Sequence, residues 1–295
     1  MSRIDLADPR IRRIIQAAAL GLGIGLALIN IHTGPLWTDG RFYWEAGERV
    51  ASGGPVYVPG ASADVAFKYA PWFAWMWALF TRLPEAVVAV AWTGAMVAAW
   101  AVPIRSYLRG GWQARAILFL ASPPLLVAAL GGNVQPAIIV MLFAGVERRW
   151  GPGAIGVAAS LKLFPILLAF VYCARRQWAR ALTAAGVGAL LWLPALADLK
   201  AYPRDLGGAF SLLLLSPVVY LLALAFGLAW TWRTSSWTAA SVSVLVGATL
   251  RFIPYQVSYL LCSRPATTTT TSLNRAEMTE TRARASGSST AASTG

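Results

Sequence analysis

Charge is scarce in this chain. Asp, Glu, Lys and Arg make up 13% of its 295 residues, and acid is the scarcer sign, with 12 carboxylates against 25 Lys and Arg. A water-soluble fold must cover its core with polar side chains, and 57% hydrophobic content with a mean hydropathy of +0.58 leaves too few of them. Lipid is the solvent that suits such a composition. Cysteine is nearly absent: Cys173 and Cys262 end two apolar runs and offer neither a disulfide framework nor ligand spacing. The single histidine, His32, reads as the end of a helix. No Asp-x-Asp occurs and the carboxylates are scattered, so no metal site of oxygen ligands and no cofactor are expected. There is also no Gly-rich phosphate loop ending in Lys-Ser/Thr, which disfavours ATP or a nucleotide sugar as direct substrate.

What the chain does have is apolar length. A membrane-spanning helix takes roughly 20 apolar residues, and about nine candidate segments lie near 14–31, 69–80, 86–104, 114–130, 136–146, 154–172, 179–196, 210–230 and 239–262. Lipid supplies no hydrogen-bond partners, so these must be helical or shielded by helices. The expectation is an all-α, polytopic transmembrane bundle over 14–262, flanked by a cytoplasmic N-terminus (1–13). The Thr-, Ser- and Ala-rich residues 263–295 cannot build a core and read as a disordered tail. Residues 14–31 are too long for a signal-peptide core, and Asn30-Ile31-His32 is no cleavage site. The net charge of +13 is carried by Arg between apolar runs, a topological signal rather than a nucleic-acid surface.

Arg3, Arg10, Arg12 and Arg13 put the N-terminus in the cytoplasm and the following loop, 32–68, on the outer face of a cell membrane. Three further clusters, Arg105/Arg109/Arg115, Arg148-Arg149 and Arg175/Arg176/Arg180, all ask to be cytoplasmic. Simple alternation cannot satisfy them. Broken or re-entrant segments would, and Pro123-Pro124, Gly131-Gly132 and the stretch 162–165 would permit them.

In the outer loop, Phe42, Ala46 and Val50 recur at helical spacing, with Arg41, Glu45, Glu48 and Arg49 elsewhere on the wheel: a short amphipathic helix along the membrane surface, ended by Gly53-Gly54-Pro55. Asp39 falls at its start and is open to two readings, a helix N-cap or a general base. Glu45 and Glu48 read as solvated charges. Tyr43 and Tyr57 fit interfacial anchors as well as sugar-stacking platforms. Lys162 interrupts an apolar stretch, and an ionisable residue at membrane depth is a functional candidate, with snorkelling as the alternative. Arg251 is similarly embedded, and Lys68 stands beside Tyr69 at a helix start. Asn133 and Gln135 could bind substrate or satisfy the backbone broken at Gly131-Gly132.

Several of these residues form a pattern. Asp39, Phe42, Tyr43, Ala46, Gly54, Tyr57, Phe67, Tyr69, Pro71 and Pro84 resemble the signature of glycosyltransferase family 87, the GT-C-type, polyprenol-phosphate-mannose-dependent mannosyltransferases of actinobacteria, with Trp44 where a second Tyr is common. Ser122-Pro123-Pro124 with Gly132-Asn133-Val134-Gln135 resembles its Pro-rich helix and Gly-Gln turn. Gly156 and Ser160-Leu161-Lys162-Leu163-Phe164-Pro165 resemble its Lys-x-aromatic-Pro element. Arg251, Pro254, Tyr255 and Gln256 lie near a position where Tyr-Asp is expected.

The resemblance implies a GT-C-like bundle in a bacterial plasma membrane. It implies transfer of mannose from a polyprenyl-phosphate donor to a lipid or glycan hydroxyl at the outer face, with inversion and with Asp39 as base. Tyr43, Tyr57, Lys68, Tyr69, Asn133, Gln135, Lys162, Arg251 and Tyr255 would bind substrate, and membrane lipid would surround the site. Family members are usually longer, so a C-terminally shortened relative is expected, and an inactive one is a third reading. A transporter or lipid flippase is the rival, because broken helices and intramembrane cations also mark substrate pathways.

Overall fold

The computed structural model describes residues 6, 8–32, 36–58, 67–198, 200–202, 212–249 and 253–263, and among them every regular element is helical. They run as α1 (Pro9–His32), α2 (Thr38–Ala51), α3 (Pro71–Phe80), α4 (Glu85–Leu108), α5 (Trp112–Leu130), α6 (Gln135–Gly145), α7 (Gly151–Leu161), α8 (Phe170–Ala174), α9 (Trp178–Trp192), α10 (Leu212–Leu215), α11 (Pro217–Thr234) and α12 (Trp237–Ala248). Three 3-10 segments, Phe164–Ala169, Leu193–Asp198 and Pro254–Cys262, complete them. The expected tail beyond Ser263 and the candidate residue Arg251 lie outside the described residues.

Four stretches are long and apolar enough to cross a membrane: Pro9–Ile29, Glu85–Leu108, Trp112–Leu130 and Trp178–Ala197. Their outward faces carry exposed Leu22, Leu28, Val90, Leu182 and Leu190, as lipid-facing helices do. The other apolar helices are shorter. α3, α6 and α7 have 10, 11 and 11 residues, and about 1.5 Å of rise per residue carries each roughly halfway through a hydrocarbon core of about 30 Å.

The short helices arise where the sequence breaks itself. α7 ends because Pro165 offers no N–H to Leu161 and its ring crowds that carbonyl. Lys162 makes the last helical bond, to Ala158 at 2.8 Å, and then turns extended (φ −144°, ψ 117°). The chain doubles back: Phe164–Ala174 returns beside α7, so that the Tyr172 hydroxyl donates to the Val146 carbonyl at 2.6 Å near the start of α7. Residues 154–172 are thus two short helical pieces folded back on each other, not one continuous helix.

This hairpin removes the topological conflict. Arg180 donates to the Arg148 carbonyl, joining two arginine clusters. Tyr107, at the end of α4 beside Arg105 and Arg109, packs on Phe143 near the end of α6, with ring centroids 6.2 Å apart. Gln16 donates to the Trp112 carbonyl at 3.2 Å and Arg12 lies over the Trp112 ring, bringing the N-terminal arginines to the start of α5. The described arginines of all four clusters occupy one end of the bundle. Gly131, Gln135 and Lys162 occupy the other.

At that second end, α2 packs on α3. The face α2 buries is Gly40, Tyr43, Trp44 and Gly47, with Ala46 beside them, so the expected stripe of Phe42, Ala46 and Val50 is only part of the packed face: Phe42 and Val50 stay half-buried. The reason is aromatic packing. Tyr43 meets Phe73 at 4.9 Å and Trp77 at 5.6 Å, and Trp77 meets Trp92 of α4 at 4.9 Å. Such pairs contribute about 0.5–1.5 kcal/mol each beyond area burial. Trp77 and Tyr43 are fully buried, so these rings belong to the core of the α2–α4 unit.

Candidate functional site

The site begins at the junction of α5 and α2. α5 closes in a Schellman turn: Gly132 adopts φ +74°, its N–H reaches Ala129 O at 3.0 Å, and Asn133 N–H reaches Ala128 O at 2.9 Å. The remaining carbonyls at this end are taken by the first amides of α2. Trp37 N–H donates to Leu130 O at 3.3 Å, and the Asp39 and Gly40 N–H groups donate to Gly131 O at 3.0 and 3.3 Å. Two sets of otherwise orphaned backbone groups satisfy each other. Trp92 of α4 adds a 2.7 Å bond from its indole N–H to Gly132 O.

This junction removes the cap reading of Asp39. The N-cap of α2 is Trp37, in a left-handed conformation (φ 68°) and with no side-chain cap; Asp39 lies inside the first turn. Its carboxylate is therefore not used on the helix it starts. Instead, Asn133 donates its side-chain amide to Asp39 Oδ2 at 2.9 Å. Asn133 Oδ1 accepts from the Gln135 N–H at 2.8 Å and from Lys162 Nζ at 3.2 Å. Lys162 also donates to the Tyr255 hydroxyl at 2.9 Å and lies 4.2 Å from the centre of that ring. Burial pushes the Asp39 carboxyl above the usual Asp range, opposed by the Asn133 bond and by the charge of Lys162.

A cavity of about 290 Å³ opens on these groups, at the small end of the range for small-molecule sites. Asp39, Tyr43, Lys68, Tyr69, Lys162 and Tyr255 contribute its polar wall, and Leu161, Leu163, Phe164 and Ile253 its apolar one. Tyr43 and Tyr69 join hydroxyls at 2.9 Å. The stretch before α3 is pinned to the end of α7, with Ala70 N–H donating to Ser160 O at 3.2 Å and the Trp72 indole donating to Ser160 Oγ at 3.0 Å.

Of the ten candidate catalytic and substrate-binding residues, six reach the cavity. Three of the others stand behind it. Asn133 and Gln135 are fully buried, and Gln135 is anchored by its side-chain amide on Ser258 Oγ at 3.1 Å. Tyr57 is also buried and donates its hydroxyl to the Tyr69 carbonyl at 2.9 Å, bracing the cavity wall from outside. Tyr259, not among the sequence candidates, lines the cavity along with Phe42, Phe164 and Gln256. Its spacing of four from Tyr255 was its only signal. Among the described residues no cluster of His, Cys, Asp and Glu could hold a metal ion.

Neither a curated protein nor a solved structure matches the chain. A family model does: residues 67–200 match glycosyltransferase family 87. The matched stretch contains Lys68, Tyr69, Asn133, Gln135 and Lys162, whereas Asp39, Tyr43 and Tyr255 reach the same cavity from either side of it. Over that stretch, which holds three of the four potential membrane spans, the chain is similar to the glycosyltransferases of family 87.

Proposed function

We propose that the chain transfers a sugar, mannose on the family resemblance, from a polyprenyl phosphate to a hydroxyl of a lipid or glycan acceptor at the outer membrane face. The observation that carries this reading is one cavity holding a carboxylate, two lysines and an apolar wall: Asp39 with Lys68 and Lys162, and Leu163, Phe164 and Ile253. A phosphodiester on a lipid needs all three kinds of surface.

Asp39 accepts the proton of the acceptor hydroxyl as its oxygen attacks the anomeric carbon. The bond from that carbon to the phosphate oxygen breaks on the opposite face, so configuration inverts. The polyprenyl phosphate leaves with the bonding pair, and Lys162 and Lys68 stabilise its growing charge. The raised proton affinity of Asp39 suits a base, which works best with a pKa nearer the operating pH than an ordinary carboxylate has. The sidedness follows from the arginines: with all four clusters at one end, the positive-inside rule puts that end in the cytoplasm and the cavity outside.

The hairpin that turns at Lys162 favours a second reading, a transporter or flippase, because such breaks line substrate pathways. Purified protein in liposomes, given radiolabelled polyprenyl-phosphate mannose, separates the two. Label appearing in a new covalent product supports transfer; label that only changes leaflet or compartment supports transport.

A further inference from the structure

We infer that Asn133 is a positioning residue that couples Asp39 to Lys162 through its single side-chain amide, and not a ligand for the sugar or phosphate. The inference rests on Asp39 being the base of the proposed reaction.

The orientation of the amide is fixed by chemistry. The Gln135 N–H and the Lys162 ammonium can only donate, so the atom 2.8 and 3.2 Å from them is the oxygen. The NH2 group then necessarily faces Asp39 Oδ2, at 2.9 Å. Asn133 is completely buried and does not line the cavity. Both ends of its amide are already engaged, which leaves little for a substrate to bind. Its own placement is rigid, because it follows Gly132 in the Schellman turn and caps the first turn of α6 through Gln135.

Two consequences follow for Asp39. One carboxylate oxygen is held by the amide, so the proton of an incoming hydroxyl goes to the other, Oδ1. The cationic group that would receive the leaving phosphate shares the same amide, so base and cation are tied through one side chain. The ionisable groups facing Asp39 are Tyr43 on its own helix, Tyr69 before α3, Lys162 after α7 and Tyr255 in the segment Pro254–Cys262. Lys68 stands on the same cavity wall. Lys162 and Lys68 are the basic groups that accompany Asp39 there.

Asn133→Asp is the discriminating variant. It keeps the volume of Asn133, its acceptor for Gln135 N–H and its acceptor for Lys162, and it deletes the donor to Asp39 while adding a like charge. In the full-length protein in detergent, the acid limb of kcat/KM for sugar transfer should move up by about 1–3 pH units. The same shift should appear without any substrate, as the titration midpoint of the infrared carboxyl band that Asp39→Asn removes. Asn133→Ser, which can still donate, should return the midpoint toward the wild-type value. A lowered rate with both the acid limb and the infrared midpoint unmoved would overturn the inference. Absence of sugar transfer by the wild-type chain would count against the functional reading alone, and the infrared titration would still decide the role of Asn133.

Discussion

Gly132 and Gly40 meet backbone to backbone: a Cβ on Gly132 would lie 3.0 Å from both Cα and N of Gly40, and 2.8 Å from the Trp37 ring. Gly132 also holds φ +74°, where a side chain is strained whatever the space. Gly132→Ala should therefore cost about 1–3 kcal/mol and lower the thermal unfolding temperature in detergent. Gly131→Ala is the control. Its φ is −71° and an added Cβ there meets atoms no closer than 3.5 Å, so the loss should be clearly smaller.

Lys162→Met retains the apolar stem and removes the ammonium that bonds Asn133 and Tyr255. A bond to a charged group contributes about 1.5–3 kcal/mol, so kcat/KM for the lipid-phosphate donor should fall by roughly 10- to 150-fold. Unchanged kinetics in a well-folded variant would leave Lys162 a structural residue.

The helix break at Lys162 was legible in the sequence, because Pro165 forces it locally. The long apolar crossings were legible for the same kind of reason: length and composition are local facts, and α1, α4, α5 and α9 follow from them. The surroundings of Asp39 were not. An Asp at the start of a helix reads as a cap, and only the arrival of Gly131 O from a distant part of the chain, bonding the Asp39 and Gly40 amides, releases its carboxylate for Asn133. The buried face of α2 extends beyond the stripe of Phe42, Ala46 and Val50 that its wheel favours, because the glycines Gly40 and Gly47 allow close approach. A Cβ on Gly47 would come within 2.8 Å of the Trp77 backbone. Small residues carry no hydropathy signal for such contacts. The convergence of four arginine clusters could be suspected from charge alone, but it needed the fold-back of 164–174 to become geometrically consistent.

That convergence makes a topological prediction. In a Cys173→Ser background, Ser52→Cys at the exposed end of α2 should react with a membrane-impermeant thiol reagent on intact cells, and Arg149→Cys should react only after the membrane is opened. Labelling of Arg149→Cys from outside would reverse the assigned orientation.

Because burial raises the Asp39 pKa, its protonated form persists to a higher pH than for an ordinary Asp. A base must be deprotonated to act, so kcat/KM should fall as pH drops through that raised value, and the acid limb should stand above the usual Asp range near 3.9. Lowering the charge at Lys162 should move the limb further up, since that charge favours the carboxylate. An acid limb at or below the ordinary Asp value would be inconsistent with Asp39 as the base.

The central claim is tested most directly by Asp39→Asn. The substitution keeps size and removes the group that would take the acceptor proton, so the purified variant should insert, unfold at nearly the wild-type temperature and still bind polyprenyl-phosphate mannose. Transfer of radiolabelled mannose from that donor to extracted membrane acceptors should drop by at least about 100-fold, the lower bound for loss of a positioned general base. Wild-type levels of labelled product from Asp39→Asn would contradict the account.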